Sequence, residues 1–355
     1  MTHLPVISWI INNKCNLFCP HCYPDSGKEI RPPYSEEEIE ALCTSIGTVS
    51  PKTVCISGGE PLLDRDLLHY MRGAGKIASE TLWICSNGTV ITDEFLKTAK
   101  HEGVNGFSIS LLHTDPDKMD ALCGRKGVYR KVIDAVTRIK DFGFKLTLEM
   151  TILKENYTTI EDIIQIGIDL KVDCIAFKRF RPVGRGKLNS HLALSPEEHQ
   201  KVLHYLYRRA IQEKRIKLSI EDPLGCIEFY TYLEEKGESV NDELVNYLSS
   251  ILGCNAGIRW VGIDPFGNVS PCPLLLYTGL IIGNINERPL NEIVETSKEI
   301  HFLRNACRHH NSCKYSVICR GCRTHAAAVT GDYSQKDPMC VHSEYTCPIQ
   351  HIKDE

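Results

Sequence analysis

Lys14-Cys15-Asn16-Leu17-Phe18-Cys19-Pro20-His21-Cys22-Tyr23 places three cysteines within eight residues at the spacing CxxxCxxC. Thiolates are soft ligands suited to zinc and to iron–sulfur clusters, and three so close in sequence converge on one centre only from a loop. Asn16 and Pro20 favour such a loop. Three ligands leave one iron of a four-iron cluster free to bind something else, and an open coordination position marks a catalytic metal rather than a structural one. The alternative is a zinc knuckle completed by His21 or by a distant residue.

The chain around this loop has 355 residues, enough for one large domain or two. A net charge of -4 and a pI near 6.4 argue against a general nucleic-acid binder. No apolar run approaches the roughly 18 residues a membrane helix needs. The opening Met1-Thr2-His3-Leu4-Pro5 lacks the basic and apolar parts of a signal peptide, so a cytoplasmic location is expected. In that setting 17 cysteines point to metal rather than to disulfides. Three lie in the opening loop and eight between Cys254 and Cys347. Cys43, Cys55, Cys85, Cys123, Cys174 and Cys226 sit in apolar contexts that suit buried small hydrophobes.

Residues 6–13 read as a buried strand that delivers the cysteine loop at its C-terminal end. Ser35 and Glu38 form a capping box that opens a helix. Strands at 53–57, 81–85, 106–111, 145–152 and 174–180 then alternate with helices at 66–78, 92–101, 128–141, 159–169 and 196–214. Six strands each followed by a helix imply parallel βαβ units, closed toward a barrel or open as a doubly wound sheet, with ligands at the C-terminal strand ends in either case. Residues 216–253 read as a bridge, with a possible strand at 217–220 and a charged helix around 233–252. From Cys254 onward cysteines become dense, helical periodicity is limited to about 289–305, and a small lobe stapled by metal is expected.

Other residues at the strand ends carry possible chemistry. Ser57-Gly58-Gly59-Glu60-Pro61 follows the second strand, where paired glycines allow close backbone approach and Glu60 offers a carboxylate to an ammonium group. Ser86 and Asn87 end the third strand, Ser108 and Ser110 lie on the fourth, and Arg125 precedes Gly127. Each is equally consistent with a turn, a barrel wall or a solvated side chain. Lys178 to Lys187 holds five cations in ten residues, either as a solvated loop or as a grip on carboxylates, with Arg181 and Arg185 best placed.

With Cys15, Cys19, Cys22 and the GGEP turn in place, the chain resembles the radical S-adenosylmethionine (radical SAM) superfamily. The resemblance implies an α/β fold, a partial (β/α)6 TIM-like barrel over residues 1–215. It also implies a [4Fe-4S] cluster on the three cysteines whose fourth iron is chelated by SAM, with Gly58, Gly59, Glu60 and Pro61 at the methionyl amino group. Tyr23 follows the last cysteine as an aromatic often does in the family. Ser86, Asn87, Ser108, Ser110, Arg125 and Arg181 become candidate SAM contacts.

The end of the chain, Cys254-x12-Gly267-x4-Cys272, then Cys307, His310-x2-Cys313-x5-Cys319-x2-Cys322, Cys340 and Cys347, resembles the SPASM extension. That implies a small cysteine-rich iron–sulfur domain over residues 254–355 with two auxiliary clusters, expected to be [4Fe-4S]. Cys254, Cys272 and Cys322 would serve one cluster, and Cys313, Cys319 and Cys340 the other. His310 stands where the family has the first cysteine of its quartet, so His310, Cys307 or Cys347 completes the second set, or one iron stays open. Zinc remains the alternative reading of the CxxC pair.

The resemblance implies reductive cleavage of SAM to a 5′-deoxyadenosyl radical that takes a hydrogen atom from a substrate C–H bond. A flavodoxin or ferredoxin would donate the electron, and the auxiliary clusters would accept the one left on the substrate. On the breadth of that group among SPASM members, the resemblance puts a peptide or protein side chain first as substrate. A tetrapyrrole, favoured by the strings at Cys19–Gly27 and Gly331–Cys340, or an aminocyclitol comes next, although an N-terminal leader-binding domain, common in peptide maturases, has no room before Cys15. A non-catalytic zinc or iron–sulfur module is the reading from another class.

Overall fold

The structure is a computed structural model and describes residues 4–27, 34–238, 241, 244, 252–305 and 315–342. In chain order β1 (Val6–Ile10), β2 (Thr53–Ser57), β3 (Thr81–Ser86), β4 (Gly106–Ser110), β5 (Lys145–Ile152), β6 (Cys174–Arg179) and β7 (Lys217–Glu221) lie side by side, all parallel. The connections carry α1 (Glu36–Gly47), α2 (Leu67–Ile77), α3 (Asp93–His101), α4 (Pro116–Cys123), α5 (Val128–Asp141), α6 (Ile160–Asp169) and α7 (Pro196–Gln212). The fold is α/β, a partial (β/α)6 barrel of the TIM type followed by a small cysteine-rich lobe.

Strand alternation decides which residues face the helices and which face the barrel interior. On β5, Leu146, Leu148, Met150 and Ile152 are buried, whereas Thr147, Glu149 and Thr151 are only half-buried. The first set packs under the helices, as Trp9 of β1 does edge-on against Tyr70 of α2 at 5.0 Å. Burying each side chain of this size stabilises the fold by about 1.5–3 kcal/mol. In register with the second set, Cys85, Ser108 and Thr147 form one inward row, and Ser110 and Glu149 the next. The interior is therefore polar and accessible at its C-terminal end.

Some elements depart from expectation. α4 is an additional helix, capped by Asp115, opened by Pro116 and closed by Gly124 in the left-handed region. The helix predicted over 289–305 is two, α9 (Leu290–Thr296) and α10 (Lys298–Asn305), because Ser297 breaks the first and its hydroxyl accepts from Ile300 N. In the bridge, the strand expected at 217–220 forms as β7, a seventh parallel strand, and α8 (Gly225–Glu235) precedes the charged helix that was predicted, most of which lies outside the described residues. The C-terminal lobe also enters the same sheet. β8 (Trp260–Ile263) pairs parallel with β1, and β9 (Asn268–Ser270) and β10 (Gly283–Asn284) follow antiparallel. The sheet thus runs through both expected domain boundaries. The lobe ends with the short α11 (Ser316–Cys319) and α12 (Arg323–Thr330).

Candidate active site

The loop carrying Cys15, Cys19 and Cys22 leaves β1 at the C-terminal end of the barrel and is held from four sides. Phe18 N donates to Cys123 O of α4, and Arg125 Nη1 donates to Asn16 O at 3.0 Å. Asn87 Nδ2 reaches Asn16 Oδ1 at 2.9 Å and lies 3.9 Å from Cys15 Sγ. Arg185 stacks on the Phe18 ring at 3.6 Å and donates to Cys19 O, Asp25 Oδ1 and Ser26 O. Both arginines brace this loop.

The GGEP turn serves the same loop. A Cβ on Gly59 would sit 2.3 Å from Lys14 O, so the close approach that glycine permits here is to the cysteine loop itself. Gly59 N donates to Asn12 O and Glu60 N to Lys14 O; Gly58 packs against Asn12, and Pro61 opens a short 3-10 turn. Glu60 is fully buried. Its Oε1 accepts from Ser86 Oγ and Leu62 N and its Oε2 from Asn87 N at 2.7 Å. Burial raises its carboxyl to about 7, and the three donors oppose that rise. Oε2 keeps a lone pair for a further donor.

Three thiols on one loop fit an iron–sulfur cluster in chemistry and setting. Cys15 accepts from Leu17 N, and burial first, then Glu60 and the other two thiols, pushes its thiol up to about 11. All three thiols are raised and stay protonated until they ligate, and ligation would release their protons.

The remaining candidates divide. Ser86 and Asn87 belong to the network just described. Ser108 accepts from Trp83 Nε1 at 2.8 Å, and Ser110 is half-buried at the mouth in register with Glu149. Tyr23 is half-buried with its ring edge-on to Tyr277 at 5.6 Å. Arg181, expected as a SAM contact, donates through Nε to Cys322 Sγ of the C-terminal lobe. The sequence reading also placed Cys55, Cys85 and Cys174 in the core; they are half-buried on the inner strand faces, while Cys43, Cys123 and Cys226 are buried as expected. It missed the row Glu149–Lys178–Glu221, in which Lys178 Nζ lies 2.7 Å and 3.6 Å from the two carboxylates. The polar alternation of β5 was the available signal.

In the lobe, burial first and then the nearby Cys322 thiol raise the Cys254 thiol, and burial followed by Cys254 and Cys322 pushes the Cys272 thiol up to about 11, so the three sulfurs lie near one another. Thr324 Oγ1 is 3.7 Å from Cys272 Sγ, and Gly321 N donates to Cys319 Sγ. Polar donors aimed at sulfur suit thiolates ligating a cluster. Cys319 and Cys340 share an apolar cluster with Cys226. All 14 described cysteines are free thiols. Among the described residues no three side chains converge closely enough for a single metal ion. Cys307, Cys313, Cys347 and His310 lie outside the described residues.

A three-thiol loop at the mouth of a parallel barrel, beside a second thiol-rich lobe, defines an iron–sulfur enzyme. Residues 9–166 match the radical SAM superfamily and residues 254–323 the SPASM iron–sulfur cluster-binding domain, and the chain is a radical SAM enzyme with a C-terminal SPASM domain. It binds SAM and a [4Fe-4S] cluster, with auxiliary iron–sulfur clusters in the SPASM domain. An AdoMet-dependent heme synthase of Methanosarcina barkeri is 26% identical over 354 residues, covering 96% of this chain and 98% of the relative. A PqqA peptide cyclase of Rhizobium meliloti is 25% identical, covering 94% and 86%. Among solved structures, Streptococcus suis SuiB bound to S-adenosylmethionine shares the fold at a TM-score of 0.75 and 18% identity, covering 96% of this chain and 78% of that one. No described helix is long and apolar enough to cross a membrane.

Proposed function

We propose that the protein oxidises a tetrapyrrole, with Cys15, Cys19 and Cys22 holding the SAM-binding cluster and residues 254–347 the auxiliary ones. The observation that carries this reading is the end-to-end match to relatives named for heme synthesis, which extends over 98% of the Methanosarcina barkeri protein. Relatives named for iron-coproporphyrin III and pre-heme d1 synthesis match over 95% and 96% of this chain as well. When bound, SAM and the reduced cluster supply a 5′-deoxyadenosyl radical. The chain's own residues position and shield. Arg125, Asn87 and Arg185 fix the thiol loop, Glu60 holds the ammonium of SAM, and the inner faces of β3 to β7 exclude water from the substrate C–H bond. A flavodoxin or ferredoxin supplies the electron.

Peptide side-chain modification, which the sequence alone put first, stands second, supported by the PqqA cyclase and by a subtilosin biosynthesis protein among the relatives. The test is anaerobic turnover with SAM and dithionite, following 5′-deoxyadenosine and the mass of the acceptor. A propionate-bearing iron porphyrin is expected to stimulate 5′-deoxyadenosine formation and to lose mass in step with it. Stimulation by a peptide and none by any porphyrin would reverse the order.

A further inference from the structure

Arg181 lies two residues beyond β6, and acceptors on three segments fix its guanidinium. Nη1 donates to Arg179 O at 3.0 Å, Nη2 to Glu221 O at 3.3 Å, and Nε to Cys322 Sγ at 3.1 Å. Two of these acceptors are neutral carbonyls. Among the described residues no carboxylate forms an ion pair with Arg181. Asp222, the carboxylate whose charge it feels, is already 3.1 Å from Arg179 Nε and 2.8 Å from His199 Nε2. Asp337 is paired with Arg179 at 2.8 Å and accepts from Cys322 N.

A guanidinium taken from water without an anion is strongly unfavourable, and arginine does not escape by losing its proton. Asp222 and Asp337 balance the two arginine charges without touching Arg181, and of its three acceptors only Cys322 Sγ can be an anion in direct hydrogen-bond contact. A neutral thiol cannot play that part. A thiolate can, and a buried thiolate is what iron ligation provides.

We propose that Arg181 sets the reduction potential of the auxiliary cluster held by Cys254, Cys272 and Cys322. A fixed positive charge hydrogen-bonded to a ligating sulfur favours the reduced, more negative state of the cluster and so raises its potential. The cluster is thereby poised to take an electron, and Arg181 stands at the C-terminal end of β6, the rim where ligands of parallel barrels bind. Arg181 is a positioning residue acting through Cys322, and its role rests on the reading that Cys322 is a ligand.

The test uses the full-length chain with Cys15, Cys19 and Cys22 replaced by alanine, so that only auxiliary iron contributes, and reads iron content and midpoint potential by EPR-monitored titration. Arg181→Gln is expected to keep its iron while one auxiliary cluster loses at least about tenfold in electron affinity, equivalent to about 59 mV downward for one electron. Arg181→Lys, which keeps the charge, is expected to stay nearer the parent. Cys322→Ala is expected to lose or alter that cluster. Parental iron and spectrum in Cys322→Ala would remove the ligand reading and the proposal with it. A perturbed cluster in Cys322→Ala beside an unchanged potential in Arg181→Gln would overturn the Arg181 role alone. Should Arg181→Gln lose its iron, Arg181→Lys decides: a potential near the parent supports the proposal and a large downward shift contradicts it.

Discussion

Glu60 is a buried carboxylate that knits the ends of β2 and β3 to the thiol loop through Ser86, Asn87 and Leu62. In the role proposed for it, its free lone pair would accept from the ammonium of SAM, and a charge-assisted hydrogen bond of that kind contributes about 1.5–3 kcal/mol. Glu60→Gln should therefore weaken SAM binding roughly ten- to hundredfold while iron content stays near the parent. Because burial raises the carboxyl to about 7, the parent carries a neutral acid below that pH, and its SAM affinity should fall on acidification. In Glu60→Gln that dependence should be absent, as calorimetric titration at two pH values would show; equal affinities in parent and variant would reject the role. At this scale the sequence showed residue types better than their targets. Spacing singled out Cys15, Cys19 and Cys22, and the GGEP turn singled out Glu60. Arg181 and Arg185 were visible as cations, but their acceptors, Cys322 Sγ and Cys19 O, lie more than 100 positions away and leave no local trace.

Strand β8 is the element through which the lobe joins the barrel, in register with β1 from Val6↔Trp260 to Trp9↔Ile263. Gly262 at its centre faces Pro273, whose Cα and N would lie 2.3 Å and 2.6 Å from an added Cβ. The neighbour is backbone and cannot yield cheaply, so Gly262→Ala should destabilise the protein by about 1–3 kcal/mol. The expected result is a lowered melting temperature in anaerobically prepared protein; a parental melting curve would contradict the packing described. The six core strands were legible because each is a short apolar run between turn signals, and α1 because Ser35 and Glu38 form the capping box the sequence advertises. β8 was not: four residues, one of them glycine, carry too little periodicity, and its partner is some 250 positions upstream. α4 carried a readable Asp-Pro start and Gly end but is only eight residues long.

Among the described residues all strands belong to one sheet with a polar mouth, and the lobe meets the barrel where Arg181 donates to Cys322. Strand–helix alternation implied a parallel sheet, closed or open, and the resemblance carried by the local CxxxCxxC, GGEP and C-terminal cysteine motifs implied the barrel, the lobe and their cofactors. The continuity between barrel and lobe depends on pairing across the full chain and became visible only in three dimensions. The central claim is that Cys15, Cys19 and Cys22 form the SAM-cleaving centre with no redundant ligand. The direct measurement is 5′-deoxyadenosine formed under anaerobic conditions with dithionite by the parent and by each single alanine variant. Cys15→Ala, Cys19→Ala and Cys22→Ala should each fall to background while retaining auxiliary iron. Formation of 5′-deoxyadenosine by Cys19→Ala at the parental rate would contradict it.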